Sequence, residues 1–507
     1  MNMIKKIWMG IACLVLAANV NAQDANVLKY GNSITEASLK KHLEILAADN
    51  MEGRDTGKEG QRKAAAYISG QFAEMGLKPV APNGNEMGYL QNFDLENTGW
   101  GKVSFKVGRN TFVNGEVFFV GSVIESKSGK ADIVFVGNGE AASLEGLDLK
   151  DKTALLYAPG AGFEAKVDAL KEKGANAVMV VNAETAEQYE TATRRFRNIA
   201  TARRMGLPNP NLTDNLLWFV SPEHAAKIIG KSQEQMAAMI ADGSHKSLKP
   251  IKYSYEIERV VEKVPTANVI GMVEGTDLKD EYVILTAHYD HVGVGSDGQI
   301  FNGADDDGSG TSAVIDIARV FKNAANQGNG PRRSMVFLLV TGEEKGLLGS
   351  RYYTDFDPIF PHSQTITNIN IDMIGRLDTE HEEAGQRNYV YPIGSEVLSS
   401  ELKVILDYNN VMYTNMDLDY RFDDPEDTNR FYFRSDHYNF AKNNIPVIFF
   451  FNGVHADYHR PSDTIDKIEW DVYTTRTRLV FYTSWDLAHR SRKPMVDTKM
   501  DERLLNR

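Results

Sequence analysis

Tyr282-Val283-Ile284-Leu285-Thr286-Ala287 runs without a break into His288-Tyr289-Asp290-His291. An uncharged, apolar and β-branched run that ends abruptly in polar residues reads as a strand buried on both faces. The same texture recurs at Ser334–Thr341, Ile366–Met373, Asn388–Ile393 and Pro446–Phe451, with a helical pattern over Ser312–Phe321 between the first two. Apolar strands alternating with helices are the signature of a mainly parallel sheet covered on both sides. The expected fold class is therefore α/β: a mostly parallel mixed sheet flanked by helices, with a smaller inserted α/β domain.

Upstream, Thr35–Asp49 reads as an amphipathic helix with Leu39, Leu43 and Leu46 on one face, and Arg62–Met75 as a second helix closed by Gly76. Between residues 101 and 250 the strands become shorter (Ala131–Val136, Thr153–Tyr157, Ala177–Val181), with a helix expected at Glu164–Lys173. That stretch is expected to be the inserted unit, and 23–100 with 251–490 a discontinuous main domain. Residues 491–507 are charged and expected to fray. Residues 1–22 have the form of a signal peptide: Lys5 and Lys6 precede an apolar run from Ile7 to Val20, and Val20-Asn21-Ala22 offers a small-residue cleavage site. The expected location is secreted, in the periplasm, with no membrane contact once the signal is removed.

Of the 507 residues 42% are hydrophobic and 25% charged, which excludes a disordered or collagen-like chain and a membrane bundle. The net charge of −13 disfavours nucleic acid and anionic membrane as principal partners. The single cysteine, Cys13, lies inside the signal-like segment, so disulfides, thiol catalysis and thiolate metal sites are excluded from the processed chain.

Five polar clusters follow predicted strands, where open α/β sheets place their ligands. His288 and Asp290 are two residues apart, as a metal ligand and its orienting partner require. Asn302-Gly303-Ala304-Asp305-Asp306-Asp307-Gly308-Ser309-Gly310 fails as an EF-hand, because Gly303 would occupy the first ligand position and Val314 the closing one. Helix capping accounts for one of its aspartates; a carboxylate able to bridge two cations accounts for more. Glu343 and Glu344 in Thr341-Gly342-Glu343-Glu344 repel each other unless a cation or shared proton reconciles them. Asp372 ends the run Asn368-Ile369-Asn370-Ile371, and His459 lies in Asp457-Tyr458-His459-Arg460-Pro461-Ser462-Asp463-Thr464. Histidines and carboxylates without cysteine form a nitrogen and oxygen ligand set suited to zinc in a hydrolytic site. His291, His437 and His455 are expected to be surface histidines or to support the ligands from behind.

The order His-x-Asp, Asp-Asp-Gly-Ser-Gly, Gly-Glu-Glu, Asp-Met-Ile-Gly and Tyr-His-x-x-x-Asp-Thr resembles the di-zinc aminopeptidase family, whose relatives include glutamate carboxypeptidases, glutaminyl cyclases and the transferrin receptor. Met51-Glu52-Gly53-Arg54-Asp55-Thr56-Gly57 is similar to that family's N-terminal signature, and the unit at 101–250 to its protease-associated insert. The resemblance implies two zinc ions: His288 and Asp372 on one, Glu344 and His459 on the other, and Asp306 bridging. It implies that Asp290 orients His288, Glu343 is the general base, Tyr458 helps hold the oxyanion and Arg434 faces substrate. Asp305 departs from the family, many of whose members carry Asn there. The implied function is that of an exopeptidase, an aminopeptidase acting on peptide substrates. Alternatives within the resemblance are a glutaminyl cyclase, a carboxypeptidase for acidic dipeptides, and a receptor-like ectodomain that has lost catalysis; in this chain every implied ligand position is filled.

Overall fold

The computed structural model describes residues 25–504 apart from 116–117, 121–123, 210–211 and 213–215. The signal-like segment 1–22 and Cys13 lie outside the described residues. The chain forms two compact units, one holding the chain up to Phe93 and again from Pro265, the other Asp94–Val264.

The first unit is built on β1 (Ile251–Val273, which enters it at Pro265), β2 (Leu278–His288), β3 (Arg333–Val340), β4 (Thr365–Ile371), β5 (Tyr389–Ile393), β6 (Asp417–Leu418) and β7 (Val447–Phe451). Their order across the sheet is β6-β5-β7-β4-β2-β3-β1. The central β3, β2, β4 and β7 are parallel, while β1 and β5 run antiparallel to their neighbours β3 and β7. The sheet is thus mixed with a parallel centre, and the carboxyl ends of its four central strands share one edge.

Side-chain alternation sends the two halves of each strand to different cores. Val283, Leu285, Met335, Phe337, Leu339, Ile369 and Phe450 face α1 (Glu36–Leu46), α2 (Glu59–Met75), α3 (Gly310–Asn326) and α4 (Trp470–His489), meeting Leu43, Phe72, Phe321 and Leu479. Ile284, Val336, Leu338, Phe449 and Phe451 point to the other face, against Tyr353, Phe433 and Phe440. Burial on both faces is why these strands read as continuous apolar runs. Thr35 caps α1 by accepting from the Ser38 N–H, and α2 ends at Gly76 in the left-handed region.

The second unit has its own parallel run, Lys127–Phe135, Thr153–Tyr157, Ala177–Val181 and Leu216–Val220, around Phe105, Phe135, Met179 and Trp218. Its junctions lie at 93/94 and 264/265, not at the 101 and 250 suggested by the change in sequence texture. Two long strands, Leu90–Val107 and Ile251–Val273, carry the chain across them: Glu96–Thr98 pairs with Arg204–Gly206, and Ile251–Ile257 with Lys127–Ile133. The C-terminal segment, expected to fray, is tied down as far as Leu504. Asp497 accepts from the Ser400 N–H and hydroxyl, Thr498 donates to the Val397 carbonyl, and Leu504 is buried. Among the described residues no helix is long and apolar enough to cross a membrane.

Candidate metal centre

The shared edge of the parallel strands collects the polar clusters. His288 is the last residue of β2 and Asp372 the first after β4; Glu343 and Glu344 lie on the turn after β3, and His459 on the loop after β7. Asp305, Asp306 and Asp307 occupy an irregular turn that leads into α3.

Asp306 stands between two histidines. Its Oδ1 is 3.3 Å from His288 Nε2 and its Oδ2 is 3.1 Å from His459 Nε2. Asp372 Oδ1 lies 3.6 Å from the same His288 nitrogen, and Glu344 Oε2 lies 3.1 Å from the same His459 nitrogen. Two groups therefore form on either side of one carboxylate. Several of these atoms, including His288 Nε2, Asp306 Oδ2 and Glu344 Oε1, are buried without a hydrogen-bond partner. Such atoms are costly to bury, and close approach without hydrogen-bond alignment is what ligands aimed at a common cation produce. The donor set, imidazole and carboxylate without sulfur, fits zinc.

The turn's three aspartates divide the labour. Asp307 is saturated: its Oδ1 accepts from the N–H groups of Gly310 and Met373, and its Oδ2 from that of His288. Asp305 faces away, accepting from the Gly375 N–H and the Ser309 hydroxyl, with its Oδ2 3.2 Å from His455 Nε2. Only Asp306 keeps its carboxylate for the centre, and its own N–H is held by Asp463 Oδ2 at 3.1 Å. Gly303, which opens the turn at φ 56°, lies so near the Asp306 carbonyl and the His291 ring that a β-carbon would collide with both.

Period-two alternation at the end of β4 puts Asn368, Asn370 and Asp372 on one face. A hydrogen-bond chain follows it. Asn368 donates to the Thr286 hydroxyl, Thr286 to Asn370, Asn370 to Ser435, and Ser435 to Asp372 Oδ2 at 2.7 Å. Asp372 is thereby oriented with its other oxygen toward His288. The His288 ring is oriented differently from expectation: its Nδ1 bonds the backbone carbonyl of Asp290 at 3.0 Å, while the Asp290 carboxylate is 3.7 Å away. That carboxylate accepts from Thr56 and from the Glu343 N–H, tying the β2 and β3 loops together. Beneath them Arg54, fully buried, donates to the carbonyls of Leu46, Tyr289, Asn302 and Gly303. The Met51–Gly57 stretch thus works through Arg54 and Thr56.

Burial opposes the charge on Asp306, yet the surrounding imidazoles of His291, His288 and His459 hold it well below the usual carboxylate range. Burial likewise opposes a charged His459, but the carboxylates of Asp306 and Glu344 outweigh it and lift the ring to about 10. Burial, reinforced by Asp372 and Glu344, pushes Glu343 well up. Tyr458 is pushed up chiefly by burial and then by Asp306, so its phenol keeps its proton; Arg434 donates to its oxygen at 3.2 Å. Beside the carboxylates a pocket is lined by Met373, Phe431, Phe449, Phe451 and Val454, with Arg434 and Tyr458 in its wall.

None of the three set-aside histidines is a surface residue. His437 is a core residue whose ring stacks on Phe449 at 4.6 Å and whose pKa burial lowers to about 3. His455 supports Asp305 from behind the turn. His291 lies inside the centre, with Nδ1 2.8 Å from Glu344 Oε1 and 3.7 Å from Asp306 Oδ2. The only sequence signal for it was proximity to His288, which loop histidines share widely. Asp463, in the quoted Tyr458–Thr464 stretch, also acquires its role only in three dimensions.

The profile of peptidase family M28 matches residues 268–484. The chain is 27% identical over 246 residues to Aminopeptidase Y of Saccharomyces cerevisiae, covering 46% of this chain and 41% of that protein. It is 27% identical over 278 residues to Aminopeptidase YwaD of Bacillus subtilis, covering 52% and 54%. The chain thus spans about half the length of these curated relatives. The solved aminopeptidase of Aneurinibacillus sp. strain AM-1 aligns over 94% of this chain and 100% of that one, at 20% identity and a TM-score of 0.49.

A proton-linked metal equilibrium follows from the geometry. With its pKa lifted to about 10, His459 carries a proton at pH 7 in the metal-free protein, and a metal must expel it. Zinc uptake should therefore release protons at pH 7, and affinity should weaken as pH falls. Titration calorimetry in buffers of different ionisation enthalpy reads this directly; a heat independent of buffer would contradict it.

Proposed function

We propose that this chain, whose residues 268–484 match the profile of peptidase family M28, is a zinc-dependent aminopeptidase that hydrolyses the N-terminal bond of peptides. The observation that carries the reading is the Asp306 carboxylate, whose two oxygens face different imidazoles at 3.3 and 3.1 Å. His288, Asp372 and Asp306 would hold one ion, and His459, Glu344 and Asp306 the other. When bound, two zinc ions supply an acidified water and polarise the scissile carbonyl.

The remaining work falls to the chain's own groups. Glu343, its carboxyl affinity for protons raised by burial, takes the proton of the attacking water and returns it to the departing amine. The protonated phenol of Tyr458 donates to the developing oxyanion, with Arg434 holding the phenol in place. The free α-amino group finds carboxylates at Glu343 and Asp372, which line the same small pocket as Phe431, Phe449 and Phe451. The same reading includes a leader at 1–22, export to the periplasm, and a protease-associated type of second unit without chemistry of its own.

The direct test compares free and N-acetylated aminoacyl substrates. Acetylation should cost most of kcat/KM, and equal rates would remove the aminopeptidase assignment. A pair of variants then separates neighbouring glutamates. Glu343→Gln should keep its metal content while kcat falls by about 10²–10⁴. Glu344→Gln should instead lose one metal and recover in part with added zinc. Loss of metal in Glu343→Gln alone would exchange the two roles.

A further inference from the structure

We infer that His291 is a direct ligand of the ion held by His459 and Glu344, so that this metal takes four protein groups and its neighbour three. The inference rests on the two-metal reading and adds a residue that reading leaves out.

Position is the first argument. His291 is fully buried, and its Nδ1, Asp306 Oδ2 and a Glu344 oxygen form a group compact enough to surround one ion. The separations are 2.8 Å from His291 Nδ1 to Glu344 Oε1, 3.7 Å to Asp306 Oδ2, and 3.1 Å from His459 Nε2 to each of those two carboxylates. Atoms bound ~2.0–2.2 Å from one zinc stand roughly 3–4 Å from each other.

Alignment is the second argument. His291 Nδ1 comes within 2.8 Å of Glu344 Oε1, yet both atoms lack a properly directed hydrogen bond. His288 Nε2 behaves in the same way, 3.3 Å from Asp306 Oδ1 and likewise without a directed bond. The two imidazoles of the His288-Tyr289-Asp290-His291 turn thus present one nitrogen each to opposite sides of the Asp306 carboxylate.

The turn is also braced for this purpose. His291 donates its backbone N–H to the Arg54 carbonyl, and Gly303 leaves room for its ring. A fourth protein group takes one more position on the His459 side, leaving the His288 side the more open of the two.

The test uses the full-length protein loaded with two equivalents of cobalt(II). Each imidazole bound to cobalt gives one strongly shifted, solvent-exchangeable ring N–H proton resonance. Three are expected, from His288, His459 and His291, and His291→Ala, checked for folding by circular dichroism, should lose one of them. Two resonances in the unaltered protein, both kept in His291→Ala, would overturn the inference and reduce His291 to a group that steers Glu344. Binding of fewer than two cobalt ions would instead overturn the two-metal reading itself, and this inference with it.

Discussion

A carboxylate removed from water must meet donors or a cation, and this requirement organises the whole edge of the sheet. Among the carboxylates that gather there are Asp290, Asp305, Asp306, Asp307, Glu343, Glu344 and Asp372. Two are satisfied by the protein itself, Asp307 by three backbone N–H groups and Asp290 by Thr56 and the Glu343 N–H, while Asp305 holds Gly375 and Ser309 on one oxygen and turns the other to His455 Nε2 at 3.2 Å. The deficit is left on Asp306, Glu344, Glu343 and the inward oxygen of Asp372. That is where the imidazoles of His288, His459 and His291 converge without forming aligned bonds. Satisfied acids fix the loops, and unsatisfied ones define where positive charge has to sit.

The same division explains why distant segments are recruited. Arg54 donates to carbonyls of the β2 loop and of the Asn302-Gly303 stretch, so one buried cation from the N-terminal region fixes the turn that presents Asp306. Asp463 grips the same turn from beyond β7 through the N–H groups of Asp305 and Asp306. From within the sheet, the Thr286, Asn370 and Ser435 chain sets the direction of Asp372. Polar residues inside apolar strands here act as supports for a ligand and carry no chemistry themselves.

Much of this was legible in the sequence because burial on both faces writes a strand as an uninterrupted apolar run. The central strands begin and end within a few residues of the reading, and their polar sequels mark the edge where ligands gather. What the sequence withheld depends on contacts between remote residues. His291 looks like any loop histidine until Glu344 arrives beside it from another strand. The carboxylate of Asp290, expected behind His288, is drawn instead to Thr56 and Glu343, while its carbonyl takes the imidazole. The junctions of the second unit were misplaced because strands that cross a boundary show no change of texture there. The C-terminal segment was expected to fray because its charge hides single anchors such as Asp497 and Leu504.

The central claim is that one carboxylate, Asp306, joins two metal sites. Crystals grown with zinc and measured at the zinc absorption edge test it most directly. The account predicts two anomalous peaks about 3.5–4 Å apart, one beside each oxygen of Asp306. A single peak, or a pair that does not share Asp306, would contradict it.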